Sequence, residues 1–117
     1  MKILRIVPNI ATSDPGSAKA FYRDILGLDV AMDVGWIATF AANASMRPQV
    51  TVAEHGGSGT AVPDLTIEVD DLDAALHRFQ TAGIAIEYGP VTEPWRMRRF
   101  YVRDPFGRLL NIMAQAH

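Results

Sequence analysis

One order of elements runs through the 117 residues twice: a strand, a helix, then three short strands. The first pass opens with an apolar, extended run from Ile3 to Thr12. "SDPGSAKAFYRDILGL" follows. Ser13 or Asp14 can accept bonds from the free N–H groups of a helix start, and Pro15 suits the first turn. Ala18, Phe21, Tyr22 and Ile25 recur at helical spacing, and Gly27 marks a stop. "LDVAM", "WIATF" and "QVTVAE" then read as strands. In the second pass "PDLTIEVDD" is a strand running into a helix cap. Leu72, Ala75, Leu76 and Phe79 form the apolar stripe of the helix, which Gly83 ends. "IAIEY", "RRFYV" and "LLNIM" complete the copy. "VPNI" at Val7 and "VPDL" at Val62 begin the two passes, and the Gly/Ser-rich "HGGSGTAVP" between them suits a flexible connection.

Such a chain is expected to be one α+β domain of two βαβββ modules, residues 1–56 and 61–117. Each module makes a small sheet with a helix on one face and leaves its other face open. The two are expected to form a curved mixed sheet around a cleft. Strand alternation sorts the side chains. Leu65, Ile67 and Val69 share a face that should pack on the helix, opposite Asp64, Thr66 and Glu68. Leu110 and Ile112 oppose Leu109, Asn111 and Met113, and Val50 and Val52 oppose Gln49, Thr51 and Ala53. The cleft wall should therefore carry Val7, Asn9, Thr51, Asp64, Thr66, Asn111 and Met113.

Composition removes several classes of function. Net charge is −2 with no basic run, which disfavours nucleic acid. The absence of cysteine excludes disulfides and thiolate chemistry. "MKILRIVPNIATSD" is broken by Arg5, Pro8 and Asn9, so it reads as a strand rather than a signal peptide, and no segment approaches membrane-spanning length. A cytoplasmic protein with no membrane partner is expected. His55 in the Gly-rich seam, His77 on a helix and the terminal His117 show no metal-binding pairing.

"SDPGSAKAFYRDILGLDV", "DLTIEVDDLDAALHRFQTAGI" and "FYVRDPFGRLLNIM", in this order and over most of the chain, resemble the vicinal oxygen chelate superfamily of glyoxalase, bleomycin-resistance and dioxygenase proteins. The last motif also has a local basis: Asp104 can cap a type I turn, Pro105 fixes its corner and Gly107 suits its end. Metal-using members hold a divalent ion on the first strand of each module and on the last strand, sometimes with a fourth ligand ending the first module. The resemblance puts Val7, Asp64 and Asn111 at the three positions, and Thr51, or less well Glu54, at the fourth. Val7 has no donor atom and Asn111 offers a neutral amide, so Asp64 alone is a credible ligand, against the roughly three that a catalytic site needs. Asn9, one strand position away, is also neutral.

No metal, no cofactor and no catalytic residue is therefore expected. "EPWRMRRFYVRDPFG" resembles the matching segment of bleomycin-resistance proteins, and Trp36 stands at a comparable place in the first copy. The resemblance implies a metal-independent binding protein that sequesters a small aromatic ligand, and a homodimer. The ligand-binding residues expected are Trp36, Phe40, Thr51, Asp64, Thr66, Trp95, Met97, Tyr101, Asn111 and Met113, with Met46 and Phe100 as further wall and Glu68 as a charged handle. Trp supplies a rigid face for aromatic or cationic groups. The three arginines of "WRMRR" are expected to face solvent or to hold an acidic ligand. The alternative is a divergent metal-dependent enzyme of the glyoxalase or dioxygenase type, or one that uses Asp64 as a metal-free base.

Overall fold

Strand pairing repeats as the sequence does. In a computed structural model that describes residues 1–43 and 48–116, the strands are β1 (Ile3–Ala11), β2 (Asp29–Asp33), β3 (Ile37–Ala41), β4 (Gln49–Ala53), β5 (Leu65–Val69), β6 (Tyr88–Thr92), β7 (Met97–Arg103) and β8 (Leu109–Gln115). The single α-helix among the described residues is α1, Leu72–Thr81. Hydrogen bonding follows the order β2-β3-β4-β1-β5-β8-β7-β6. In each copy the last strand lies parallel to the first, β4 on β1 and β8 on β5, and the β2–β3, β3–β4, β6–β7 and β7–β8 pairs are antiparallel. The fold is α+β on an open mixed sheet.

Contacts divide the chain into an N-terminal unit, Val7–Val62, and a C-terminal unit, Met1–Ile6 with Pro63–His117. β1 thus serves both. Its start is tied within the C-terminal unit by Asp70 N–H donating to Lys2 O and by an Arg5–Glu68 ion pair.

In the C-terminal unit α1 begins and ends as its sequence dictates. Asp71 caps it by accepting from Ala74 N–H at 3.0 Å. Gly83, at φ +75°, closes it: Ile84 N–H reaches Phe79 O and Gly83 N–H reaches Gln80 O, a Schellman ending. Leu72 and Ala75 bury themselves with Val69, Phe100, Val102, Ile112 and Ala114, and Leu76, Phe79, Ile67 and Leu110 pack around them. Phe100 belongs to this core, edge-on to Phe79, and not to an open wall.

The expected strand "IAIEY" is displaced. Ile84 spends its N–H on the helix ending, and regular pairing starts only at Tyr88, so β6 runs Tyr88–Thr92. Its register slips between Tyr88 and Val91, around Gly89 at φ +77°.

In the N-terminal unit Ala38, Phe40 and Val52 make a smaller core with Tyr22, Ala18 and Val50. The expected α-helix is replaced by a 3-10 turn at Pro15–Ser17 and a π-helical stretch at Lys19–Arg23. Asp14 supplies no side-chain cap; its N–H instead donates to Thr12 Oγ1. The i→i+5 bonds Asp24 N to Lys19 O and Leu26 N to Phe21 O widen the winding. The sequence stripe consequently splits: Ala18 and Tyr22 pack inward, while Phe21 and Ile25 are exposed. Lys19 reaches Asp33 of β2 at 2.7 Å; that bond, with Gly35 N–H, holds the carboxyl below its usual range. The seam is closed rather than slack, with Gly56 N–H on Thr60 O and Thr60 N–H on Gly57 O.

Gly89 carries a sharp test of this packing. A Cβ there would stand 2.5 Å from Arg99 O. Gly89→Ala should cost more than about 1 kcal/mol, since positive φ and backbone contact act together. Urea denaturation measures it, and an unchanged midpoint would refute the close approach.

Candidate functional site

Alternation gives the C-terminal sheet a second, helix-free face. Register places Thr66 opposite Asn111, Asn111 opposite Tyr101, and Tyr101 opposite Tyr88. A second row runs Glu68, Met113, Arg99 and Val91. The faces of β5 and β8 are thus as alternation predicts.

The centre of this face is a charged pair among rings. Arg99, 4% exposed, donates from Nη2 to Glu93 Oε2 at 3.2 Å and from Nη1 to Tyr101 Oη at 2.9 Å. Tyr88 Oη donates to Glu93 Oε1 at 2.7 Å. The guanidinium carbon lies 4.9 Å from the Tyr101 centroid, 5.2 Å from Trp95 and 5.4 Å from Tyr88. The β6–β7 turn sets this up. Arg96 N–H donates to Glu93 O, Glu93 N–H donates to Met97 O, and Arg96 adopts φ +64°. This is a tight hairpin with a left-handed closing residue, and it lays Trp95 over Arg99.

The three arginines of "WRMRR" therefore have separate roles. Arg98 points to the helix side and pairs with Asp73, whereas Arg99 is enclosed. Sequence reading missed Glu93, Tyr88 and the buried state of Arg99. Alternation of Met97, Arg99 and Tyr101 along one strand was the available signal.

Asn111 sits beside this cluster, 6% exposed. Its Nδ2 donates to Thr66 Oγ1 at 3.3 Å. Its Oδ1 is buried with no hydrogen-bond partner among the described residues. Such an orphan acceptor costs about 1–3 kcal/mol. Met113 is buried next to it, and Met97 is half-buried at the same face. Glu68 is buried and held by Arg5. Asp64 is half-exposed and structural in part: Oδ2 accepts from Leu109 N–H at 2.9 Å, and Arg108 lies 4.0 Å away. Asp104 Oδ1 accepts from Phe106 and Arg108 N–H, closing the "DPFG" turn that starts β8.

Three expected site residues belong to the N-terminal unit. Phe40 is fully buried in the core against Tyr22. Thr51 shares a 2.8 Å bond with Thr39. Trp36 stacks on His55, with ring centroids 4.6 Å apart, and His55 Nδ1 accepts from Gly57 N–H. Met46 and His117 lie outside the described residues.

The donor set does not fit the divalent ion used elsewhere by proteins with the resembling motifs. Val7 is buried and has no donor, Asn111 is an amide, and Asp64 is engaged by Leu109. Among the described residues no three His, Cys, Asp or Glu side chains gather into a site that could hold a metal. Also among the described residues, no helix is long and apolar enough to cross a membrane.

A depression of about 450 Å³ lies at the start of α1, lined by Asp70, Asp71, Thr92, Arg98 and Gln115 among others. Its charges are already used: Asp71 caps α1, Asp70 accepts from Lys2 N–H, and Arg98 pairs with Asp73. The helix-free face is the stronger candidate.

Two passes of a strand, a helical segment and three strands, the closing "DPFG" turn and a polar row on the helix-free sheet face are the features of a protein of the vicinal oxygen chelate type. The family model of the Glyoxalase/Bleomycin resistance protein/Dioxygenase superfamily matches residues 2–112, and the chain belongs to that superfamily. Solved structures agree on the fold. A variant of Streptomyces coelicolor methylmalonyl-CoA epimerase in complex with 2-nitronate-propionyl-CoA is 20% identical, with TM-score 0.76, over 98% of this chain and 96% of the other. A superfamily member from Vibrio splendidus 12B01 is 16% identical, TM-score 0.70, over 97% and 99%. A structure described as NAD-dependent benzaldehyde dehydrogenase from Legionella pneumophila is 15% identical, TM-score 0.75, over 95% and 99%. No curated protein matches.

The Arg99–Glu93 pair makes a measurable claim. Arg99→Met or Glu93→Leu alone leaves a buried charge unpaired and should cost about 3–5 kcal/mol. The double variant should regain much of that loss. Single and double variants whose losses simply add, in urea titrations, would show that the two are not coupled.

Proposed function

We propose that the chain is a metal-independent binding protein for a small aromatic molecule, held on the helix-free face of its C-terminal unit. The observation that carries this reading is Asn111: a buried amide with one acceptor atom unused, among Thr66, Tyr101 and Met113. A ligand on this face would supply the missing partner. Trp95, 42% exposed, offers its ring as the edge of the platform, and Met97 and Met113 supply adaptable wall. The superfamily's binding members, such as bleomycin-resistance proteins, give the reading a precedent.

Titration of the protein with aromatic compounds should change tryptophan emission, and a chelator should leave the affinity unaltered. Trp95→Ala should weaken binding by about two- to tenfold, the range of an aromatic contact. Binding that needs an added divalent ion would sink the proposal.

The second reading is a divergent enzyme, favoured by the likeness to methylmalonyl-CoA epimerase, which at 20% identity carries the fold alone. Asp64 is its candidate base, and substrate turnover lost in Asp64→Asn would establish it.

A homodimer is part of the proposal. Leu4, Ile6 and Ile10 are exposed along one side of β1, apolar surface of the kind that marks association. Sedimentation equilibrium should give twice the chain mass; a monomer at high concentration would refute it.

A further inference from the structure

The ligand's chemistry follows from how the helix-free face has already spent its charges. Among the described residues the ionic groups on or beside it pair internally: Arg99 with Glu93, Arg5 with Glu68, and Asp64 with Arg108 at 4.0 Å. Both members of the first pair are nearly solvent-free, and Glu68 is buried as well. An anion arriving here would compete with Glu93 for Arg99. A cation would need the faces of Tyr88, Trp95 and Tyr101, and Arg99 already lies against all three, within 5.4 Å of each centroid. The rings form a cage that the chain fills with its own guanidinium. A ligand charge of either sign would be desolvated without a counter-charge, which is the costliest form of burial. Among the described residues two buried atoms lack a hydrogen-bond partner, the Arg99 Nε donor and the Asn111 Oδ1 acceptor, and a neutral hydroxyl, which both donates and accepts, can meet either without adding a charge.

We infer that the preferred ligand is an uncharged aromatic molecule bearing an O–H or N–H donor, which Asn111 Oδ1 accepts while the internally paired Arg99 rejects ionic analogues. This rests on the binding role proposed above and adds the ligand's charge and donor. It differs from what the aromatic residues alone suggest, since an empty cage of three rings would select cations.

Four probes of one size test it: 2-naphthol, 2-methoxynaphthalene, 2-naphthoate and a naphthylmethyl trimethylammonium salt. Each is titrated into the wild-type protein and Asn111→Leu, with affinity from calorimetry and location from the Asn111 side-chain amide resonances. 2-Naphthol should bind wild type about five- to tenfold more tightly than its methyl ether, the size of one buried hydrogen bond. Both ions should bind more weakly than 2-naphthol. Asn111→Leu should bring the naphthol and the ether level. A methyl ether that binds as well as the naphthol, or either ion binding best, would overturn the inference while leaving a binding face intact. No binding by any probe, with no shift at Asn111, would overturn the inference and the binding role together. Should Asn111→Leu fail to fold, the wild-type ranking of the four probes decides alone.

Discussion

The hydrogen-bond register of β5, β8, β7 and β6 is the constraint on which the candidate site depends. It aligns Thr66, Asn111, Tyr101 and Tyr88 across the sheet and sends Ile67, Ile112, Phe100 and Val102 to the helix. A slip of one residue would exchange the two sets, burying Asn111 under α1 and exposing the core. Two local devices pin the register. Asp64 receives Leu109 N–H at the start of β8 and returns its own N–H to Leu109 O. Asp104 gathers two N–H groups in the turn that delivers β8 to β7. The polar row is thus a by-product of apolar packing on the opposite side, where Phe100 and Ile112 supply the driving force.

Arg99 shows how the sheet tolerates a charge at its centre. A lone guanidinium at this burial would be expelled by its desolvation cost. The Glu93 carboxylate, the Tyr101 oxygen and three ring faces replace the water it loses. Tyr88 in turn fills a remaining acceptor position of Glu93. The cluster gains little net stability over an apolar filling, because desolvation and attraction nearly offset each other. It fixes the hairpin that carries Trp95 and makes single substitutions costly.

Much of the architecture was readable from residue order. The duplication, the faces of β5 and β8, the α1 stripe, its Asp71 cap and its Gly83 ending all follow from periodicity and end signals. These failed where non-local contacts or backbone strain decide. The π-helical winding at Lys19–Arg23 left no mark in the apolar spacing, and it moved Phe21 and Ile25 to the surface. β6 was misplaced because the Ile84 N–H belongs to the helix ending and the pairing waits for Tyr88. Of the expected site residues, Thr66, Tyr101, Asn111 and Met113 share one face, as alternation requires. Phe40 could not be told from a wall residue by sequence, since its neighbour Tyr22 is eighteen positions distant and contact between them depends on the fold. Glu93 was invisible for the same reason: nothing in "TEPWR" says that its carboxylate turns inward.

Each half of the chain owns one indole, and the two have unlike surroundings. Trp36 lies flat on the His55 imidazole, at 7° between planes. Trp95 is partly in water and faces the Arg99 guanidinium. The emission spectrum of the folded chain is therefore a sum of two unlike reporters. A quencher dissolved in the solvent meets the hairpin indole first, because Trp95 is exposed and Trp36 is half-buried.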